Sequence, residues 1–266
     1  MTNYCNRRIR EVLCGAAAVL LCAGAFSCGK ENDESQGGDA PHEGRARTVL
    51  VYMIGDVNLW QEQWTNLNRL EAGWNDDIDG NLLVYLDPSP HTTQFPNPVL
   101  LEIVPDQTDA IVSRVVKSYP EQNATDKAVM RGVLEDAIRM YPAPSQGLVI
   151  ASHGSGWWPA FADELVPTDD EHDTPQTRAI AGGDRYGTDV EVNDLAELLP
   201  IKYDFILMHA CLMGNVETAY ALKDKCGHIA RCQPAVPIHH GSYVRTACRR
   251  FLSPDPDQLR FLQHAA

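Results

Sequence analysis

Four apolar runs constrain the fold of this chain more than any other feature of its sequence. They occupy residues 48–54, 82–86, 147–151 and 203–208, and each is continuous instead of alternating with polar residues. Strands with this pattern are typical of the interior of a parallel sheet, where both faces are buried. Because helical patterns lie between the runs, we predict an α/β fold: a three-layer sandwich with a mostly parallel sheet.

Apolar periodicity between the runs predicts the helices. The first has a face made of Trp60, Trp64, Leu67 and Trp74. The second has a larger face made of Val129, Met130, Val133, Leu134, Ala137, Ile138 and Tyr141. We expect Thr125 or Asp126 to be the N-cap of this second helix, and we expect the helix to stop before Pro142. Short helices are predicted over residues 193–199 and from Asn215 onward.

Residues 1–27 are predicted to be a signal peptide that takes no part in the fold. Three arginines among residues 7–10 precede an apolar stretch over residues 12–26, the arrangement of a secretory signal. The stretch is shorter than the roughly 20 residues that a membrane-spanning helix needs, which disfavours a spanning anchor. A serine before Cys28 and a glycine after it resemble the lipobox of bacterial lipoproteins. We therefore expect Cys28 to carry a lipid.

Residues 28–45 are predicted to form a polar tether between the lipid and the fold. Their acidic residues also resemble the signal that follows the lipidated cysteine in exported lipoproteins of Bacteroidetes-like bacteria. Together these segments predict a protein held by a lipid in the bacterial cell envelope, at the outer membrane, on its periplasmic or outer side. The membrane is then one expected partner.

The composition of the rest of the chain predicts one domain over residues 46–225. The formal net charge is −14, and clustered Lys and Arg are lacking, which excludes nucleic acid as a partner because phosphate binding requires such clusters. No cysteine lies between Cys28 and Cys211, so no disulfide framework supports this domain. Its length is sufficient for a hydrophobic core of its own.

Two motifs that can carry chemistry follow the third and fourth apolar runs. They are SHGSGW over residues 152–157 and HACLMG over residues 209–214. A cysteine attacks a carbonyl as a thiolate, and its usual pKa of about 8.5 means that it needs a neighbouring base. His153 can accept the proton of Cys211 and later pass it to the leaving amine. The backbone N–H groups of Gly154 and Cys211 can form an oxyanion hole.

Each member of the pair also has a structural interpretation. A buried cysteine at a strand end is common and inert, and a histidine before a glycine is often a turn residue. Their equivalent positions after two apolar runs favour a functional pair, because chemistry collects beyond the carboxyl ends of such strands. A serine hydrolase that uses Ser152 or Ser155 is disfavoured, since no Gly-x-Ser-x-Gly elbow follows a strand.

These motifs resemble those of the clostripain family of cysteine peptidases. The resemblance also includes TVLVYM at residues 48–53, YPA at 141–143 and VETAY at 216–220, and it covers about residues 46–225. It implies a caspase-like fold and a dyad of His153 as general base and Cys211 as nucleophile, with no required third member. It further implies peptide or protein substrates cleaved after Arg or Lys. No cofactor is required, although some members depend on calcium and the resemblance allows for it here.

Two local features modify what the resemblance implies. Residues 159–189 form a long polar loop without apolar periodicity, and loops of this length are usually functional. The family cleaves itself in this loop, which makes Arg178 and Arg185 the candidate sites of autoprocessing. The family also has an acid two residues before the nucleophile, in the substrate pocket, where this chain has His209. A neutral imidazole binds an arginine less strongly than a carboxylate does.

Residues 226–266 differ in composition from the domain before them. Residues 28–225 contain 33 acidic and 14 basic residues, whereas residues 226–266 contain 2 and 5. We interpret the change as a frameshift near residues 226–231 that leaves the C-terminal part of the fold incomplete. A metal site is the alternative, with candidate ligands Cys226, His228, Cys232, His239, His240 and Cys248. It is disfavoured because no Cys-x2-Cys pair is present, so we predict no metal.

The anomalous tail leaves a second functional hypothesis open. An incomplete domain predicts an open substrate pocket and exposes an apolar strand next to the nucleophile. The alternative to an active cysteine endopeptidase is therefore a catalytically inactive, truncated lipoprotein that acts as a binding module. Selective reaction of Cys211 with an electrophilic peptide distinguishes the two.

Overall fold

The computed structural model describes residues 44–55, 59–75, 77–92, 94–154 and 188–231. Several predicted sites lie outside these residues: Cys28, Ser155, Arg178, Arg185, and the candidate metal ligands Cys232, His239, His240 and Cys248.

Within the described residues, seven strands form one sheet. They are β1 (Arg47–Ile54), β2 (Gly80–Asp87), β3 (Val99–Glu102), β4 (Arg114–Ser118), β5 (Ser145–Ala151), β6 (Tyr203–His209) and β7 (Cys226–Arg231). Their order is β4-β3-β2-β1-β5-β6-β7. β3 is antiparallel to both of its neighbours, and every other pairing is parallel. The predicted mostly parallel α/β sheet is confirmed.

Four helices flank this sheet in the described ranges: α1 (Trp60–Gly73), α2 (Lys127–Met140), α3 (Val192–Leu198) and α4 (Val216–Leu222). α2 starts as predicted, because the carboxylate of Asp126 accepts hydrogen bonds from the backbone N–H groups of Ala128 and Val129 at 2.9 and 3.0 Å. None of the helices in the described segments is long and apolar enough to cross a bilayer.

Two apolar layers enclose the sheet. Alternate residues of β1 point to opposite faces, so that Leu50 and Tyr52 belong to one buried cluster and Val51 to the other. The first cluster contains the apolar faces of α2, α3 and α4, and the second contains that of α1. α1 thus lies alone, among the described helices, on one face of the sheet, which gives the three layers of the predicted sandwich.

The apolar face predicted for α1 packs on the sheet together with polar residues. Leu67 is fully buried, and Trp64 and Trp74 are partly buried and pack against the same apolar cluster, whereas Trp60 is half-buried. The polar side chains of Gln63, Asn66 and Glu71 are buried as well. Polar residues therefore share the buried side of this helix with the predicted apolar ones.

The sheet continues beyond Lys225, where the composition changes. β7 pairs with β6 in parallel, with Ile229 opposite Ile206. The change in composition at residue 226 predicts an exposed apolar strand next to the nucleophile, and the pairing of β7 with β6 contradicts this expectation. Gly227 is suited to its place, since a Cβ there would lie 2.9 Å from the carbonyl oxygen of Asp204. The first residues of the anomalous tail thus cover the edge of β6.

Gly147 allows β5 to pack against β6, and its replacement tests this packing. A Cβ at Gly147 would overlap the Phe205 ring, so we expect Gly147→Ala to lower the free energy of unfolding by about 1–3 kcal/mol. Gly132 in α2 has open space around the same position, and Gly132→Ala should raise stability by up to about 1 kcal/mol because alanine favours helix. Urea unfolding of both variants measures the difference. Equal effects would contradict the proposed packing.

Candidate active site

The pairing of β5 with β6 brings His153 and Cys211 to the same edge of the sheet. Ala151 is opposite His209 in the register, and His153 and Cys211 each lie two residues further along their chains. Neighbouring strands are about 4.8 Å apart, so the two segments leave the sheet side by side. The N–H of Ser152 donates to the carbonyl of His209 at 3.3 Å and continues the contact past the strand ends.

Gly154 makes the closest approach between the two segments. A Cβ at this position would lie 2.5 Å from the carbonyl oxygen of Cys211 and 2.8 Å from Cγ of Met213. Contacts this short are not seen for real side chains, so only glycine fits without a shift of the backbone. The contact places the backbone of Gly154 against that of Cys211, the two residues predicted to supply the oxyanion hole.

The turn after Cys211 is strained and held in place. Leu212 has φ of 59°, and it is the one non-glycine residue with a positive φ in the described part of the chain. Such a conformation is unfavourable for a leucine and is often found at functional sites. The side-chain amide of Asn215 donates to the carbonyl of Leu212 at 2.9 Å and accepts from the N–H of Thr218 at 2.8 Å. The turn leaves Cys211 exposed with a free thiol.

His153 is suited to accept a proton at neutral pH. The side chain is half-buried, and burial lowers the pKa of His153, while the negative charge of Glu62 acts in the opposite direction. The imidazole is therefore neutral at pH 7 and retains an acceptor nitrogen. A base whose pKa lies near or below the working pH is mostly unprotonated, so it can accept the proton of the thiol.

His209 introduces no charge at the end of β6. It is half-buried on the same face as Leu207, and burial lowers the pKa of His209. The imidazole is thus neutral at pH 7, as assumed from the sequence. The position two residues before Cys211, where the family resemblance implies an acid, is therefore occupied by a neutral group.

Ser152 is poorly placed for catalysis. It is 3% exposed, and its Oγ has no hydrogen-bond partner among the described residues. A hydroxyl that is covered in this way is poorly accessible to a substrate. The geometry disfavours Ser152 as the nucleophile of a serine hydrolase.

The first turn of α1 belongs to the site although no motif in the sequence marks it. Nε2 of Gln63 donates to the carbonyl of Ala151 at 2.8 Å, and the negative charge of Glu62 raises the pKa of His153. The signal in the sequence was the helical spacing of Gln63 and Asn66 with the buried Leu67 and Leu70. Polar residues on the buried side of a helix indicate a specific partner.

Several solved structures resemble this fold. A secreted C11 cysteine protease from Bacteroides thetaiotaomicron, in complex with an irreversible peptide inhibitor, is 29% identical with a TM-score of 0.60. The match covers 83% of this chain and 58% of that protein. An inactive zymogen C11 protease from Parabacteroides distasonis is 27% identical with a TM-score of 0.63, covering 82% and 57% of the two chains.

Another secreted C11 cysteine protease from Bacteroides thetaiotaomicron is 22% identical with a TM-score of 0.65, and the match covers 84% of this chain and 62% of that protein. At this level of identity the likeness supports the fold alone. This chain therefore spans about three-fifths of the length of these structures. No curated protein matches the chain significantly.

The family comparison covers most of the described fold. The model of the clostripain family of C11 peptidases matches residues 51–248, which include β5, β6, His153 and Cys211. The match also continues beyond Lys225 through β7. Because it covers well over half of the sequence, the chain belongs to the clostripain family of cysteine peptidases.

Proposed function

We propose that this chain is a cysteine endopeptidase in which Cys211 is the nucleophile and His153 is the general base. The observation that carries the proposal is the adjacent exit of the two residues from β5 and β6, with an exposed thiol and a neutral imidazole at the same edge. Membership of a cysteine peptidase family supports the class of reaction. The proposed reaction needs no cofactor, because the pair supplies both nucleophile and proton carrier.

The proposed reaction has two stages. The proton of Cys211 moves to the imidazole of His153 as Sγ forms a bond to the carbonyl carbon of the substrate. The peptide C–N bond then breaks, and the imidazolium gives its proton to the leaving amine. Water attacks the resulting thioester with His153 again as base, which releases the acid product and restores the thiol. The N–H groups of Gly154 and Cys211 stabilise the oxyanion of each tetrahedral intermediate.

We also propose that selectivity for a basic residue before the scissile bond is weak. The family resemblance implies cleavage after Arg or Lys, but His209 is neutral and offers no opposite charge to a basic side chain. A hydrogen bond between a charged group and a neutral group is weaker than one between two oppositely charged groups. The substrate pocket should therefore accept neutral residues more readily than a pocket with a carboxylate does.

We also propose how the chain matures and where in the cell it is located. Autoprocessing after Arg178 or Arg185 and lipid anchoring through Cys28 follow from the sequence and from the family resemblance. The relative from Bacteroides thetaiotaomicron that is 29% identical is described as secreted, which supports export of this chain. Substrates would then be peptides or proteins that reach the cell envelope.

Labelling with an electrophilic peptide tests the dyad. We expect the full chain to react with an acyloxymethyl ketone peptide that carries arginine at the position before the reactive group, and Cys211→Ala to abolish the reaction. His153→Ala should slow it by about 100-fold or more, the usual contribution of a general base. Mass spectrometry of the intact protein measures the adduct.

The buried Cys226 supplies the matched control for this experiment. Burial raises the pKa of the Cys226 thiol, so Cys226→Ser should label at the rate of the unmodified protein. A wild-type chain that is folded but not labelled would favour the inactive binding module instead.

Replacement of His209 tests the substrate pocket. We expect His209→Asp to raise the ratio of labelling rates for arginine over citrulline probes by about tenfold or more, because a charged hydrogen bond replaces a neutral one. His209→Asn has a similar size without the charge and should leave the ratio near its original value. An unchanged ratio in His209→Asp would place the pocket elsewhere.

A further inference from the structure

The first turn of α1 is attached to the strand end that carries His153. The side chain of Gln63 is 4% exposed, and its Nε2 donates to the carbonyl of Ala151 at 2.8 Å. Ala151 lies two residues before His153 at the end of β5. A buried hydrogen bond between a side chain and the backbone fixes the position of this helical turn over the site.

Glu62 precedes Gln63 in the same turn and has one carboxylate oxygen without a partner. Its side chain is half-buried, and Oε2 is buried and accepts no hydrogen bond from the described residues. Leaving a buried carboxylate oxygen unpaired is unfavourable, so the position requires an explanation. A group that becomes positively charged during a reaction would provide one.

His153 lies on the side of the sheet that α1 covers. Val149 and Ala151 of the same strand pack in one cluster with Leu67 and Leu70 of α1, and the alternation of the strand continues to His153. The negative charge of Glu62 raises the pKa of His153 against the effect of burial. Among the described residues, the titratable side chains at this edge include His209 and Cys211 after β6 and Asp87 at the end of β2, two strands from β5, whereas Ile54 and Gly55 at the end of β1 add none. His91 contacts Trp60 in the same turn of α1 as Glu62.

Glu71 shows how another buried acid on the same helix is used. It is fully buried, and its Oε1 accepts the backbone N–H groups of Val112 and Ser113 at 2.9 and 2.7 Å. Its Oε2, like that of Glu62, accepts no hydrogen bond from the described residues, so an unpartnered oxygen alone does not distinguish the two acids. Glu62 differs in position, because its helical turn is attached to the end of β5 and its negative charge raises the pKa of His153.

We propose that Glu62 is a positioning residue for His153, whose carboxylate orients the imidazole and stabilises the imidazolium formed when Cys211 loses its proton. The inference rests on the dyad proposed above and adds a carboxylate that the family resemblance does not require. The proton moves from Sγ of Cys211 to the imidazole and stays there until the amine leaves.

Titration of His153 by NMR provides the direct test. The full chain with Cys211→Ala removes the thiol from the titration, and comparison with His153→Gln assigns the imidazole signal. We expect Glu62→Gln to lower the pKa of His153 by about half a unit or more, because it removes a negative charge near the ring. Glu197→Gln is the matched control, since Glu197 is exposed on α3 on the opposite face of the sheet. Equal pKa values in the two variants would overturn the inference.

A conservative variant separates charge from folding. Glu62→Asp keeps the negative charge on a shorter side chain, so its His153 pKa should lie between those of the parent and Glu62→Gln. Urea unfolding identifies any loss of the fold. If Glu62→Gln does not fold, a His153 pKa in Glu62→Asp no lower than the parent value would overturn the inference, and a lower value would support it.

The labelling rate gives a second measurement and separates this inference from the proposed function. With Cys211 present, Glu62→Gln should lower the maximal labelling rate roughly threefold or more, the factor that half a pKa unit represents, at an unchanged half-saturating probe concentration. A labelled parent whose rate and His153 pKa are unaffected by Glu62→Gln would overturn the inference alone. If the parent chain is not labelled but Glu62→Gln still lowers the pKa of His153, the peptidase proposal is overturned and the charge contact is supported.

Discussion

The pairing of β5 with β6 is the contact on which the candidate site depends. Both strands are buried on their two faces, and their register brings the chain after Ala151 alongside the chain after His209. Gly154 then allows the two backbones to approach more closely than any side chain would permit. The pairing thus determines how closely the backbone segments that carry the imidazole and the thiol approach each other. The strain at Leu212 is confined to the turn that this contact and Asn215 hold in place.

The strands and helices that could be predicted are those whose apolar residues form a clear local pattern in the sequence. β1, β2, β5 and β6 are continuous apolar runs, and α2 has both a clear face and an N-cap. β3 and β4 were not predicted, because β3 is short and Arg114–Ser118 is only half-buried and contains both Arg114 and Lys117. β7 was not predicted because the change in composition after Lys225 indicated a frameshift, yet the strand pairs with β6. The change in composition near Lys225 therefore does not mark the end of the sheet.

The candidate site was predictable to the extent that its residues lie in short motifs. His153 and Cys211 each follow an apolar run, and parallel strands bring such ends together. The contribution of α1 could not be obtained in this way, because Gln63 meets β5 only after the helix packs across the sheet. The polar character of a buried helical face is informative only once the fold is known.

The double role of Asn215 has a consequence for the ageing of the protein. Its Oδ1 caps α4, and its Nδ2 holds the carbonyl of Leu212. Spontaneous deamidation to aspartate would keep the acceptor and remove the donor, so the helix would stay capped while the turn beside the thiol lost its restraint. Chemical damage at this single amide would thus loosen the strained turn and leave the sheet and helices intact. Stored protein could lose its reactive geometry while its circular dichroism spectrum stayed the same.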